Sequence, residues 1–221
     1  MVVEPGTDGV WTVCTPQLDF TWSCAAGDAI RLTPEPQPDA SAFLRAGLQE
    51  ALEAGWNVEG GGTVMCAVDL PLQAGVSSSS AMVVAWMQAL ARVADVALTP
   101  HELARWAHKV EVAHFGEPGG HMDHVASALG GIHRIHPDWR VEPLDVPSEG
   151  AWIVVDSGEP KDTRGHLQRC KVKRLDLLET HGGRWADPHA LDGFSDWPAE
   201  DQALWQATWC NMQLEARAAA R

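Results

Sequence analysis

LPLQAGVSSSSAM, Leu70 to Met82, sets four consecutive serines between a glycine-containing turn and a strongly apolar run. The run that follows, AMVVAWMQALARVADV, is apolar on nearly every side, the pattern of a helix buried between a sheet and other helices. Before the turn, TVMCAVDL, Thr63 to Leu70, alternates as a strand does. The order is therefore strand, turn, serines, buried helix. If Gly75 turns the backbone tightly and Ser77 to Ser80 form the first turn of the helix, their unpaired N–H groups point outward at the positive end of a helix dipole. Such an end is a seat for phosphate. A seryl hydroxyl adds what amides cannot, because it can ligate a Mg²⁺ that bridges phosphate oxygens. Small polar residues are also plain helix caps, but one serine would suffice for that. The stretch is not a Walker loop, since G-x-x-x-x-G-K-[ST] is absent.

Outward from this stretch, composition narrows the function. The 221 residues include 30 acidic against 16 basic side chains, a formal charge of −14. That balance argues against nucleic acid or an acidic membrane surface as the main partner, while leaving phosphate ligands open through backbone amides. The five cysteines are odd in number and form no C-x-x-C pair, so neither a disulfide framework nor a zinc ribbon is implied. No basic and apolar leader opens the chain, and no apolar run approaches a membrane span. A soluble, cytoplasmic protein is expected.

On the amino-terminal side, VWTVCTPQLDFTW and AIRL read as short strands, and the Pro- and acid-rich TPEPQPDAS, Thr33 to Ser41, as the nearest thing to a linker. SAFLRAGLQEALEAG has helical spacing, with Asp39 or Ser41 as N-cap and Gly55 just past its end. On the carboxy-terminal side, Thr99, Pro100 and Glu102 form a capping box opening a helix that runs to about His114. At about 100° per residue, Leu103, Trp106, Ala107, Val110 and His114 share one face, Arg105 and Lys109 lie opposite, and Glu111 falls at the edge of the apolar stripe, half buried. HMDHVASALGG is a short helix ended by Gly130 and Gly131, and IHRIH a strand. AWIVVD, Ala151 to Asp156, reads as a buried strand, RGHLQRCKVKRLDLLE as a basic amphipathic helix, and Gln202 to Ala218 as a further helix.

Six of the ten histidines lie between His108 and His136, in H-x-D-H and H-x-x-H arrangements. Such clusters can bind zinc. Here no H-E-x-x-H occurs, and His133 and His136, three apart on a strand, face opposite sides. By themselves, Glu111 could be an exposed helical charge and Asp123 the N-cap of a helix from Val125 to Leu129.

Two ordered motifs carry a resemblance. Pro71-Leu-Gln-Ala-Gly75-Val76-Ser77-Ser78-Ser79 resembles the central phosphate-binding motif of the GHMP kinases, the family of galactokinase, homoserine kinase, mevalonate kinase and phosphomevalonate kinase. KVEVAHFGEPGGHMDHVASALGG, Lys109 to Gly131, is similar to the galactokinase stretch in which a helix with an A-E-H-like triplet precedes a glycine loop and G-x-M-D-Q. Glu111 and Asp123 occupy the glutamate and aspartate positions, 12 residues apart. His124 stands where galactokinases commonly carry glutamine, and His121 where they carry an apolar residue.

The resemblance implies an α+β, GHMP-kinase-type two-layer N-terminal domain with a ribosomal-protein-like β-α-β core over residues 1–148, and the beginning of a C-terminal domain over 149–221. It implies ATP and Mg²⁺ as cofactors and a small-molecule sugar as acceptor, with no nucleic acid or membrane partner. By the same resemblance, amides from Gly75, Val76, Ser77, Ser78, Ser79 and Ser80 cradle the triphosphate, Ser79 and Glu111 hold Mg²⁺, and Asp123 takes the acceptor's proton. The implied activity is phosphoryl transfer to a sugar hydroxyl, at the anomeric carbon of galactose or a related hexose. The competing reading is a non-catalytic sugar or nucleotide sensor on the same fold. It draws on two departures: the family's first motif is not found in Met1 to Cys24, and HGGRW, His181 to Trp185, is too short to stand for the third. The chain is thus expected to be the central portion of such an enzyme, with Trp205, Trp209 and Met212 left exposed.

Overall fold

A computed structural model describes residues 1–30, 39–70, 75–117, 119–145, 153, 155 and 171–219. The chain divides into two compact units, Met1–Lys161 and Asp162–Arg221.

The first unit is built on a four-stranded sheet. Strands β1 (Val2–Pro5), β2 (Val10–Thr15), β3 (Phe20–Ala25) and β4 (Gly61–Met65) lie in the order β1-β4-β2-β3. β2 and β3 form an antiparallel hairpin, β4 runs parallel to β2, and β1 pairs antiparallel with β4. A parallel neighbour needs a crossover, and it contains α2 (Ala40–Glu53), which follows a one-turn helix α1 (Ala26–Ala29). The alternation in VWTVCT turns Trp11 and Val13 into the core. TVMCAVDL stays a strand only to Met65. Ala29 of AIRL belongs to α1 rather than to a strand, and Arg31 and Leu32 lie outside the described residues.

Helices α2, α3 (Ser78–Val93), α4 (Pro100–His108) and α5 (Met122–Leu129) make the second layer. α3 packs against β1, α2, α4 and α5, which is why its sequence is apolar nearly all round. Three tryptophans anchor the interface of the layers. Trp86 of α3 meets Trp11 and Trp22 edge to face, at centroid distances of 5.4 and 6.2 Å, and donates its indole N–H to the Leu44 carbonyl. Trp11 donates likewise to Val58. Trp11 and Trp86 thus bury their rings without orphaning their one donor.

The helix ends follow their local chemistry. Asp39 accepts from the Ala42 amide as N-cap of α2, and Gly55 takes the left-handed φ of +77° beyond its end. Thr99 and Glu102 close the capping box of α4 in both directions. α4 does not run on as an α-helix to His114: Lys109–Ala113 is a π turn, in which the His114 amide donates to the Lys109 carbonyl. A hairpin, β5 (His133–Ile135) and β6 (Val141–Pro143), follows α5.

In the second unit, α6 (Lys173–Thr180) and α7 (Ala199–Ala219) enclose a small aromatic core. Trp205 is 0 % exposed there, against Trp185 and Trp197, with its indole N–H on the Ala186 carbonyl. Its expected exposure is therefore corrected, because its neighbours supply a pocket that helical periodicity alone does not reveal. Met212 is exposed, as read from the sequence. The segment Ala151 to Asp156 falls largely outside the described residues, as do residues 164–170 of the basic helix.

Candidate active site

The serine tract opens α3. Gly75 has φ +76° and Ser77 φ +60°, so the chain enters the helix through two left-handed residues. Ser77 is the N-cap, yet no side chain caps this end; the first helical bond runs from the Ala81 amide to the Ser77 carbonyl at 3.0 Å. Amides of the first turn are left for another acceptor. Ser78 and Ser79 form the outer part of that turn, Ser79 being exposed, and Ser80 is buried. Pro71, the first residue of the motif, lies outside the described residues.

Asp123 sits in the first turn of α5, whose N-cap is His121, so it is not the cap of a helix starting at Val125. With Val76, Ser77, Gln88 and Ser127 it lines an open hollow of about 560 Å³ between α3 and α5. Its remaining wall is apolar, from Leu70, Val84 and Leu103 among others.

Glu111 projects from the π turn into a largely closed environment. Its carboxylate Oε2 accepts from His124 Nε2 at 2.7 Å, with side-chain exposures of 12 % for Glu111 and 2 % for His124. Burial pushes the Glu111 carboxyl up, but the hydrogen bond and charge of His124, joined by the Ser79 and Ser80 hydroxyls, outweigh it and hold the group below its usual range. The acid is thus ionised beside the serine tract. Of the predicted residues, then, Asp123 shares a hollow with Val76 and Ser77, and Glu111 shares a second environment with Ser79 and Ser80.

A half-buried carboxylate and exposed hydroxyl offer hard oxygens. They suit Mg²⁺, which takes one or two protein ligands and completes its octahedron with water and phosphate. Among the described residues no group of three or more His, Cys, Asp and Glu is arranged to hold a metal ion. His121 stacks on Trp139 at 4.1 Å and donates to the His136 carbonyl, while the Arg105 guanidinium lies 4.5 Å from the centre of the same indole. These contacts tie the β5–β6 hairpin to α4 and α5. Sequence reasoning passed over Gln88, although a lone amide in an otherwise apolar helix signals a wall that is not all core.

Residues 42–131 match the family described as GHMP kinases N terminal domain. That stretch is similar to the N-terminal domain of the GHMP kinases. The galactokinase of Haemophilus influenzae is 28 % identical over 159 residues, 70 % of this chain and 41 % of the relative. The mevalonate kinase of Thermococcus sibiricus is 41 % identical over 72 residues, 33 % of this chain and 21 % of the relative. Among solved structures, the mevalonate kinase of Methanococcus jannaschii superposes with a TM-score of 0.56 at 15 % identity, over 65 % of this chain and 45 % of that one. The two chains share a mixed α/β fold over that part. The chain spans less than half the length of these relatives.

Proposed function

We propose that this GHMP domain serves a kinase that transfers the γ-phosphoryl group of ATP to a hydroxyl of a small molecule, a sugar in the manner of the galactokinases. The observation that carries the reading is the hollow in which the Asp123 carboxylate and the start of α3 lie together. Phosphoryl transfer needs little covalent help from a protein; it needs the reactants held in line and the phosphate charge compensated. The uncapped amides from Gly75 to Ser80 hold the phosphate chain at the positive end of α3. Asp123, one wall across, accepts the proton of the acceptor hydroxyl as its oxygen bonds to phosphorus. Glu111 and Ser79 would hold Mg²⁺, which neutralises charge on the phosphate oxygens.

The acceptor is read as a sugar because the galactokinase likeness runs through 159 residues, against 122 for a mevalonate kinase. Gln88 and Ser127 offer hydrogen bonds to hydroxyls along an otherwise apolar wall. Calorimetric titration of the chain with MgATP, and then with galactose and other hexoses, tests the proposal. Saturable nucleotide binding followed by hexose binding is expected. A chain that takes up no nucleotide overturns it, and one that binds both without transfer is a sensor.

A further inference from the structure

Lys109 and His114 are five residues apart, which on an α-helix, at about 100° per residue, would turn them about 140° away from each other. Instead both reach one carboxylate. Glu50 of α2 accepts from His114 Nδ1 at 3.0 Å and pairs with Lys109 Nζ. The chain between the two donors is the π turn, and residues five apart are the hydrogen-bonded partners of a π turn, not of an α turn. Glu50 is 7 % exposed, so an α register that carried one donor to the far side would leave a buried charge half compensated. A second bond of the same span, from the Glu117 amide to the Val112 carbonyl at 3.0 Å, extends the distortion.

We propose that Glu50 is a positioning residue: by bridging Lys109 and His114 it selects the π turn and thereby aims Glu111 at His124 and the serine tract. The proposal rests on the reading of Glu111 as a ligand of the nucleotide's metal. Burial raises the Glu50 carboxyl, while the Lys109 and His114 hydrogen bonds and charges lower it further, so the bridge is held in its ionised form. The bridge belongs to the support of the site, because Glu50 lines neither the hollow nor the serine tract.

The test compares the unaltered chain with Glu50→Gln, Lys109→Gln and, as reference, Glu111→Gln. The Lys109 side chain is 51 % exposed, so its replacement spares the core if Glu50→Gln folds poorly. MgATP affinity is expected to fall about tenfold in both bridge variants, the loss usual for residues that orient a metal ligand. Amide hydrogen exchange over residues 109–114 is expected to quicken in both, with exchange in the strands unchanged. If the unaltered chain binds no MgATP, the reading of the site falls and the positioning role with it. If MgATP binds and Glu111→Gln weakens it while both bridge variants bind normally, the positioning role alone is overturned. Unchanged slow exchange over the π turn in Lys109→Gln overturns it independently of any nucleotide.

Discussion

His124 Nε2 donates to Glu111 Oε2 across 2.7 Å, between two residues on different helical segments that are both largely shut off from solvent. A buried carboxylate that loses such a donor keeps its desolvation cost without compensation, worth about 1.5–3 kcal/mol for a bond to a charged group. His124→Ala is therefore expected to lower the unfolding free energy by about that amount. His124→Gln, which keeps an N–H donor, should recover most of it. Urea unfolding of the two variants decides, and equal losses would show that the ring packs without supporting the acid.

Asp123 lies within the hollow but makes no cap or ion pair among the described residues. Asp123→Asn should thus fold with normal stability and bind MgATP as before, while the rate of transfer to the acceptor falls about 10²–10⁴-fold, the usual worth of a general base. Coupled-enzyme kinetics beside calorimetry separates the two effects. Retained turnover would remove Asp123 from the chemistry.

Acid should destabilise the first unit through Glu50 and Glu111. Both titrate below the unfolded value of 4.5, so each stabilises the fold above that pH, and the contribution is lost as pH falls through the lower folded values. Urea midpoints should be flat between neutrality and about pH 5 and drop below it. The double variant Glu50→Gln, Glu111→Gln should start lower at neutral pH and fall less steeply. Parallel curves would show that other carboxylates govern the acid limit.

Gly47 marks where α2 touches the tryptophan core. A Cβ there would stand 2.6 Å from Trp86 Cδ1 and Nε1. Trp86 cannot swing aside without leaving Trp11, Trp22 and the Leu44 carbonyl. Gly47→Ala is expected to destabilise the unit by about 1–3 kcal/mol despite the better helix propensity of alanine. A rise in thermal midpoint would mean that the layers are looser than this contact implies.

Local chemistry was legible in the residues themselves. Asp39 with Ala42, Thr99 with Glu102, and Gly55 past the end of α2 act over three or four positions, and short-range hydrogen bonding and backbone freedom decide them wherever the chain goes. The serine tract was readable for the same reason: glycine, then serines, then an unbroken apolar run define a helix start with amides to spare. Strand β1 was not readable, because four residues ending in proline carry little pattern and gain their order only from β4, about sixty positions on.

Sequence by itself determined the main helices, the caps of α2 and α4, and the identity of the acids and hydroxyls available for chemistry. Tertiary structure alone decided how those groups face one another. Helical periodicity sent Lys109 and His114 to different faces; a carboxylate 59 and 64 positions earlier in the chain draws them together in a π turn, and Glu111 turns with them toward His124. The physical reason is that a buried charge costs much to leave unpaired, so the distant partner overrules the local period.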